Sequence, residues 1–356
     1  MAKAQKQYFT KQLIDWHHTE NQRSLPWKNE KDPYKIWLSE IILQQTRAEQ
    51  GLPYYNAFIN AYPTVRHLAN AKDEEVFRLW QGLGYYNRCK NLLFTARYIT
   101  EQLNGKFPDT FDDLIKLKGI GTYTAAAIAS FAYGLPHAVV DGNVYRVLSR
   151  YLGIDTPCDT TEGRKLYAQF AGELLEKKDS AAFNQAIMDF GATICTPQNY
   201  DCINCPLQKK CIAFQQEMVG LLPVKSKKLI VKHRYFHYVL FIYNEKVWIK
   251  KRTEKDIWQN LHELFLIEHH TILDTEALAA HLTNENLAIN SSELVFDCKY
   301  TQKLTHQLIN TVFYSYRIAN PTLLKKYHGT WVKIGALKFL GFPKTIVSFL
   351  EKKLYF

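Results

Sequence analysis

Apolar positions recur at helical spacing through the first 217 residues, then give way to continuous or alternating aromatic and β-branched runs. Asp32-Pro33 predicts an N-cap followed by proline at the first helical position, and the spacing carries that helix from Tyr34 to Gln50. Pro53, Pro63, Pro108, Gly134-Leu135-Pro136 and Pro157 are expected to mark turns between later helices. The stretch from Gly220 to Lys228 has no clear period and is basic, which predicts a linker over 218–232. Beyond it, Tyr235–Tyr243 and Lys246–Lys250 predict two strands joined by a hairpin at Asn244-Glu245. Leu294–Tyr300 and Gln307–Ile318 predict two more strands, and Thr345–Leu354 a closing helix. The expected architecture is multidomain: an all-α domain over 1–217 and a small α+β domain over 233–356.

Composition narrows the class. The 356 residues are 47% hydrophobic and 14% aromatic, so large cores are possible. Forty-five Lys and Arg against 34 Asp and Glu give a formal charge of +11, which favours a polyanionic partner. No segment is long and apolar enough to span a bilayer, and the first sixteen residues read as an amphipathic helix rather than a signal peptide. A cytoplasmic chain is therefore expected, with reduced thiols and a monomeric state.

Four of the seven cysteines crowd into C-x6-C-x2-C-x5-C at Cys195, Cys202, Cys205 and Cys211. In a reducing compartment this is a metal site, and four thiolates suit either zinc or an iron–sulfur cluster. Cys89, Cys158 and Cys298 read as ordinary thiols. In Leu117–Ile128, Gly119 and Gly121 bracket one apolar residue, which permits a tight turn into a helix N-terminus that would accept an anion. Glu40 has Ile36, Trp37, Leu43 and Gln44 as its helical neighbours. Such a carboxyl leaves bulk water, and desolvation raises its pKa toward that of a general acid working near neutrality.

The cysteine spacing resembles the [4Fe-4S] loop of the endonuclease III superfamily of DNA glycosylases, and Leu117–Ile128 resembles a helix–hairpin–helix motif. Leu25-Pro26-Trp27, Asp32–Arg47, Gly82–Arg88 and Val139–Arg146 together resemble the MutY-type adenine glycosylases. The resemblance implies excision of adenine mispaired with 8-oxoguanine or guanine in double-stranded DNA. It implies that Glu40 protonates N7 of a flipped adenine, Asp141 stabilises the oxocarbenium-like sugar, Asn143 orients acid and base, and Tyr123 lines the pocket. Gln45 and Tyr85 are implied as probes of the opened duplex, with Thr46 and Leu83 packing near 8-oxoguanine, Lys28 near the DNA, and Gly119 and Gly121 on phosphate. The C-terminal region resembles a NUDIX-like recognition module without the repeated glutamates of a hydrolase, its loop Lys303-Leu304-Thr305-His306 presenting Thr305 and His306 to the lesion.

Some positions depart from the family's pattern. Lys28 replaces an arginine and Leu304 an aromatic, and the loop between Cys195 and Cys202 holds no basic residue, with Lys209 and Lys210 as substitutes. Tyr123 stands where bifunctional relatives carry the lysine that forms an imine with the sugar. A phenol cannot do so, which sets a monofunctional glycosylase against an endonuclease III-like glycosylase/lyase as the main alternative. A non-catalytic helix–hairpin–helix DNA-binding protein and a NUDIX-type hydrolase are the remaining readings.

Overall fold

The computed structural model describes residues 3–226, 231–287 and 289–354. Part of the expected basic linker, residues 227–230, lies outside the described residues. The chain divides into two compact units, Met1–Asn70 with Asn91–Lys228, and Ala71–Lys90 with Leu229–Phe356. Residues 71–90 thus group with the C-terminal part of the chain. Within that second unit, the Phe342 amide donates to Gln81 and Lys251 pairs with Glu74.

The first part of the chain is helical: α1 Lys3–Thr19, α2 Pro33–Leu43, α3 Ala48–Ala61, α4 Val65–Asn70, α5 Asp73–Leu79, α6 Tyr86–Gln102, α7 Phe111–Leu114, α8 Thr122–Tyr133, α9 Gly142–Leu152, α10 Thr161–Leu174, α11 Ser180–Thr193 and α12 Ile212–Gln215. Asp32 caps α2 by accepting the Tyr34 amide, with Pro33 following it, as expected. The expected helix from Tyr34 to Gln50 is two helices. It breaks after Leu43, where Gln45 takes a left-handed φ of 55°, and α3 restarts at Ala48. Pro53, expected at a turn, lies inside α3.

One core of the helical unit gathers Phe9, Leu13 and Trp16 of α1, Val147, Leu148 and Tyr151 of α9, Tyr167 of α10, and Phe183, Ile187 and Phe190 of α11. Residues 20–32, which form no regular element, are tied down by one carboxylate. Asp189 of α11, fully buried, receives Arg23 at 2.8 Å, Lys28 at 2.6 Å and the Asn21 amide at 2.9 Å. Residues 218–226, expected as free linker, instead pack on this unit. Val219 and Leu222 are buried against Ala213, and Val224 accepts the Cys158 amide.

The second unit is a mixed sheet with a helix on each face. Its strands are β1 Lys232–Tyr243, β2 Lys246–Lys251, β3 His262–Glu263, β4 Phe265–His269, β5 Val295–Lys303, β6 Gln307–Arg317 and β7 Thr330–Lys333, in the order β3-β2-β1-β6-β5. β4 pairs with β1 and β7 with β2. Asn244 and Glu245 make the expected hairpin turn with φ of 43° and 59°. β1 lies parallel to β6 over its whole length and antiparallel to β4 and β2 on its other side, which explains its nearly unbroken apolar run. Alternation then sorts the side chains. Val239, Phe241, Val312 and Tyr314 face Leu278 and Leu282 of α13 (Thr275–Asn284). Tyr238 stacks on Phe313, which stacks at 4.3 Å on Phe349 of α14 (Lys344–Leu354).

Replacing Asp189 with alanine leaves two part-buried cations without their carboxylate. The expected loss is about 3 kcal/mol of stability, read from denaturant unfolding. A loss below 1 kcal/mol would show that residues 21–28 are held by packing alone.

Candidate active site and cysteine loop

Helix α2 is apolar on nearly every side, with Ile36, Trp37, Leu38, Ile41 and Ile42 all buried, and it packs on the alanine-rich α8. Glu40 sits among them, 7% exposed. Its carboxyl bonds to the Tyr123 hydroxyl at the start of α8 and feels the charge of Asp141. Burial, the largest influence, and Asp141 push it up to about 7, while the Tyr123 bond pulls it down. Tyr123 is itself raised by burial and by both carboxylates, so it stays a neutral phenol. Its hydroxyl also lies 3.9 Å from the Met188 sulfur.

Asp141 is the N-cap of α9. It accepts the Val144 amide at 2.8 Å and the Asn143 side-chain amide at 2.7 Å. Burial raises its pKa, and those two donors work against the rise. Asp141 thus caps α9 while its carboxyl stays within electrostatic reach of Glu40. Asn143 in turn accepts from Arg146 at 2.8 Å, and Arg146 continues to the Cys195 carbonyl at 2.7 Å. The loop leading to Asp141 is fixed by buried Asn184, which accepts the Val139 amide at 3.0 Å and donates to the His137 carbonyl at 2.8 Å.

The remaining sequence-predicted residues fall into three groups. Gln45 is exposed at the strained break between α2 and α3, beside half-buried Thr46. Gly119, φ 81°, makes the turn expected of the hairpin, and an added Cβ there would meet the Asn91 side chain at 2.8 Å. Gly121 is extended and caps α8. Lys118 points its ammonium at the Phe94 ring, 4.3 Å away. In the second unit, Gly82 and Gly84 have φ of 91° and 79°, and Tyr85 follows at 51° and 42% exposed. The indole of fully buried Trp80 pins that turn through the Gly84 carbonyl at 2.9 Å. Leu83 is buried beneath it. The Tyr85 hydroxyl hydrogen-bonds Thr305, which is exposed with His306 in the turn between β5 and β6.

Lys28, implied by the resemblance as a DNA contact, has a side chain only 10% exposed, and its ammonium pairs with Asp189 at 2.6 Å. Residues the sequence reading passed over are Arg146, Arg150, Asn184, Met188 and Asp189. The spacing of Asn143 and Arg146, one helical turn apart, was the available signal for the first.

Cys195, Cys205 and Cys211 pack against the α9–α11 core, and Cys202 and Cys211 against Ala213 and Val219. Among the described residues, no group of three or more His, Cys, Asp or Glu is arranged to hold a single metal ion. The four thiols nonetheless act on one another. Burial first, and Cys195 among further causes, raise Cys202, Cys205 and Cys211. Four part-buried thiols on one loop that repel one another when ionised are a donor set that fits a cationic iron–sulfur core.

Because Glu40 is raised in the folded protein, the stability it contributes is complete below its unfolded pKa and is lost as pH rises through about 7. Glu40→Gln is therefore expected to stabilise the protein at pH 8 relative to pH 4 by on the order of 3 kcal/mol, read from unfolding curves at both pH values. An effect equal at the two pH values would contradict a buried acid.

The comparisons with known proteins agree with this architecture. A model of the HhH-GPD superfamily of base excision DNA repair proteins matches residues 38–170, and a NUDIX domain model matches residues 237–352. An adenine DNA glycosylase of Buchnera aphidicola subsp. Schizaphis graminum is 36% identical over 347 residues, covering 96% of this chain and 98% of that relative. The mouse adenine DNA glycosylase is 41% identical over 224 residues, 60% of this chain and 43% of the mouse protein. Among solved structures, a thermostable thymine-DNA glycosylase overlays with a TM-score of 0.56 at 28% identity, covering 60% of this chain and 98% of its own. The chain belongs to the adenine DNA glycosylase family, DNA N-glycosylases of the HhH-GPD base excision repair superfamily.

Proposed function

We propose that the protein excises adenine opposite 8-oxoguanine or guanine in double-stranded DNA by hydrolysis, without cutting the strand. The observation that carries this is the buried Glu40 carboxyl, pushed up to about 7 by burial, bonded to Tyr123 and within reach of the Asp141 charge. Protonated Glu40 delivers its hydrogen to N7 of the extruded adenine. The bond from the sugar C1′ to N9 then breaks, and its electron pair leaves with the base. Asp141 meets the positive charge that develops on the sugar, and its two hydrogen-bond donors favour the ionised form needed for that. Water adds to C1′ and gives up a proton to the carboxylates, leaving an abasic site and free adenine. Asn143, steadied by Arg146, keeps Asp141 in place.

Tyr123 supplies no amine for a Schiff base, and the nearby Lys118 ammonium is turned onto Phe94. The contact between Tyr85 and Thr305 supports a joint role for these residues at the opposite base, and His306 shares their turn. Gln45 and Thr46 probe the opened duplex from the helical unit, Leu83 supports the turn that carries Tyr85, and the Gly119–Gly121 hairpin meets phosphate. The four cysteines are the proposed ligands of a [4Fe-4S] cluster, a group whose part here is to hold the 195–211 loop in shape.

Single-turnover release of adenine should be fastest from the A·8-oxoguanine duplex, slower from A·G and absent from A·T. The rate should fall as pH rises through about 7 and drop at least a hundredfold in Glu40→Gln. Borohydride should trap no covalent complex, and efficient trapping would point to the lyase reading instead. Thr305→Ala should narrow the preference for 8-oxoguanine over guanine by roughly 5- to 30-fold, the scale of one lost hydrogen bond, while leaving the pH profile unchanged. An unaltered preference would remove Thr305 from lesion reading.

A further inference from the structure

Four arginines are almost wholly buried: Arg146, Arg150, Arg234 and Arg252. Arg234 is held by Asp256 and Glu268, and Arg252 by Glu263 and Asp256. Arg146 bonds Asn143 and feels the charge of Asp141. Arg150 differs. At 3% exposure it donates to the carbonyls of Leu222 at 3.1 Å, Thr196 at 2.7 Å and Pro197 at 3.5 Å, and to the Cys195 sulfur at 3.4 Å. The Tyr200 ring lies 4.9 Å from its guanidinium carbon, and its own carbonyl accepts from the Cys211 sulfur at 3.4 Å. No carboxylate among the described residues forms an ion pair with it. A guanidinium cannot shed its proton to escape burial, and neutral carbonyls do not balance its charge.

We propose that Arg150 is the counter-charge of the four-cysteine site: its guanidinium balances the thiolates and raises the reduction potential of the iron–sulfur cluster they hold. The inference rests on the cluster reading given above. Its physical content is separate, because it concerns a charge and not a ligand. A fixed positive charge beside a cysteine sulfur favours whichever oxidation state carries one more electron. The same charge offsets repulsion among four thiolates and so favours retention of the group they bind.

The test compares full-length Arg150→Gln, which removes the charge, with Arg150→Lys, which keeps it and loses the fork that grips Thr196 and Pro197. Iron and sulfide per chain, the rate of their loss to a chelator, and the midpoint potential by protein-film voltammetry are measured for all three proteins. The glutamine variant should shift negative by about 59 mV, a tenfold change in a one-electron equilibrium, and the lysine variant should stay close to wild type. Equal potentials in all three proteins, or an equal shift in both variants, would overturn the proposal. If the glutamine variant holds too little cluster for voltammetry, chelator loss decides. Loss at least tenfold faster than in the lysine variant supports the counter-charge, and equal rates reject it. If wild type carries zinc and no iron, the cluster reading falls, and zinc retention in the two variants reads the charge claim in the same way.

Discussion

The chemistry proposed for the helical unit follows from keeping one carboxyl out of water. Glu40 can be buried only because α2 is apolar around nearly its whole circumference, so the helix must be enclosed rather than laid on a surface. Asp32 and Pro33 fix where α2 begins, and the left-handed turn at Gln45 fixes where it stops. Between those points α8 covers it with small residues, and that close packing brings Tyr123 onto the acid. The second carboxylate is delivered by a separate device, the N-cap of α9, whose approach is clamped by a buried asparagine. A buried helix position and a helix cap thus bring two acids within electrostatic reach of each other.

Much of this could be read in the sequence, and the gaps have physical reasons. The apolar stripe around Glu40, the Asp32 cap, the Asn244-Glu245 hairpin and the change from helical to strand periodicity are local signals, and the structure keeps them. The break at 44–47 was hidden because its residues do not disrupt helical spacing; only the backbone geometry at Gln45 reveals it. Pro53 misled in the opposite direction: it lies six residues into α3, past the first-turn amides a proline can spare, and the helix continues through it without that one backbone bond. The pairing of Lys28 with Asp189 was not legible because the two lie 161 positions apart in the sequence, and no periodicity reports so distant a carboxylate. Arg150 carries no local sign of its role; with Arg146 it is a side chain through which α9 grips the cysteine loop.

The C-terminal unit handles its buried charge differently. Arg234 and Arg252 share Asp256 and take Glu268 and Glu263 as further partners, a network in which each cation has a carboxylate. That network joins β1 and β4 to the loop after β2 and leaves the exposed turn after β5 free to carry Thr305 and His306. The rigidity of the sheet and the exposure of its loop belong together, because the reading proposed for Thr305 needs a turn whose flanks do not shift.

The membership of residues 71–90 in this second unit has a consequence for synthesis. Those twenty residues leave the ribosome early, whereas the strands they settle against are translated more than 130 positions later. In the interval Glu74 and Gln81 wait for Lys251 and the Phe342 amide, the C-terminal groups they bond in the folded chain. A long stretch of chain must be made while an aromatic segment waits, and that interval is when a nascent polypeptide of this kind is most open to chaperones or to premature association.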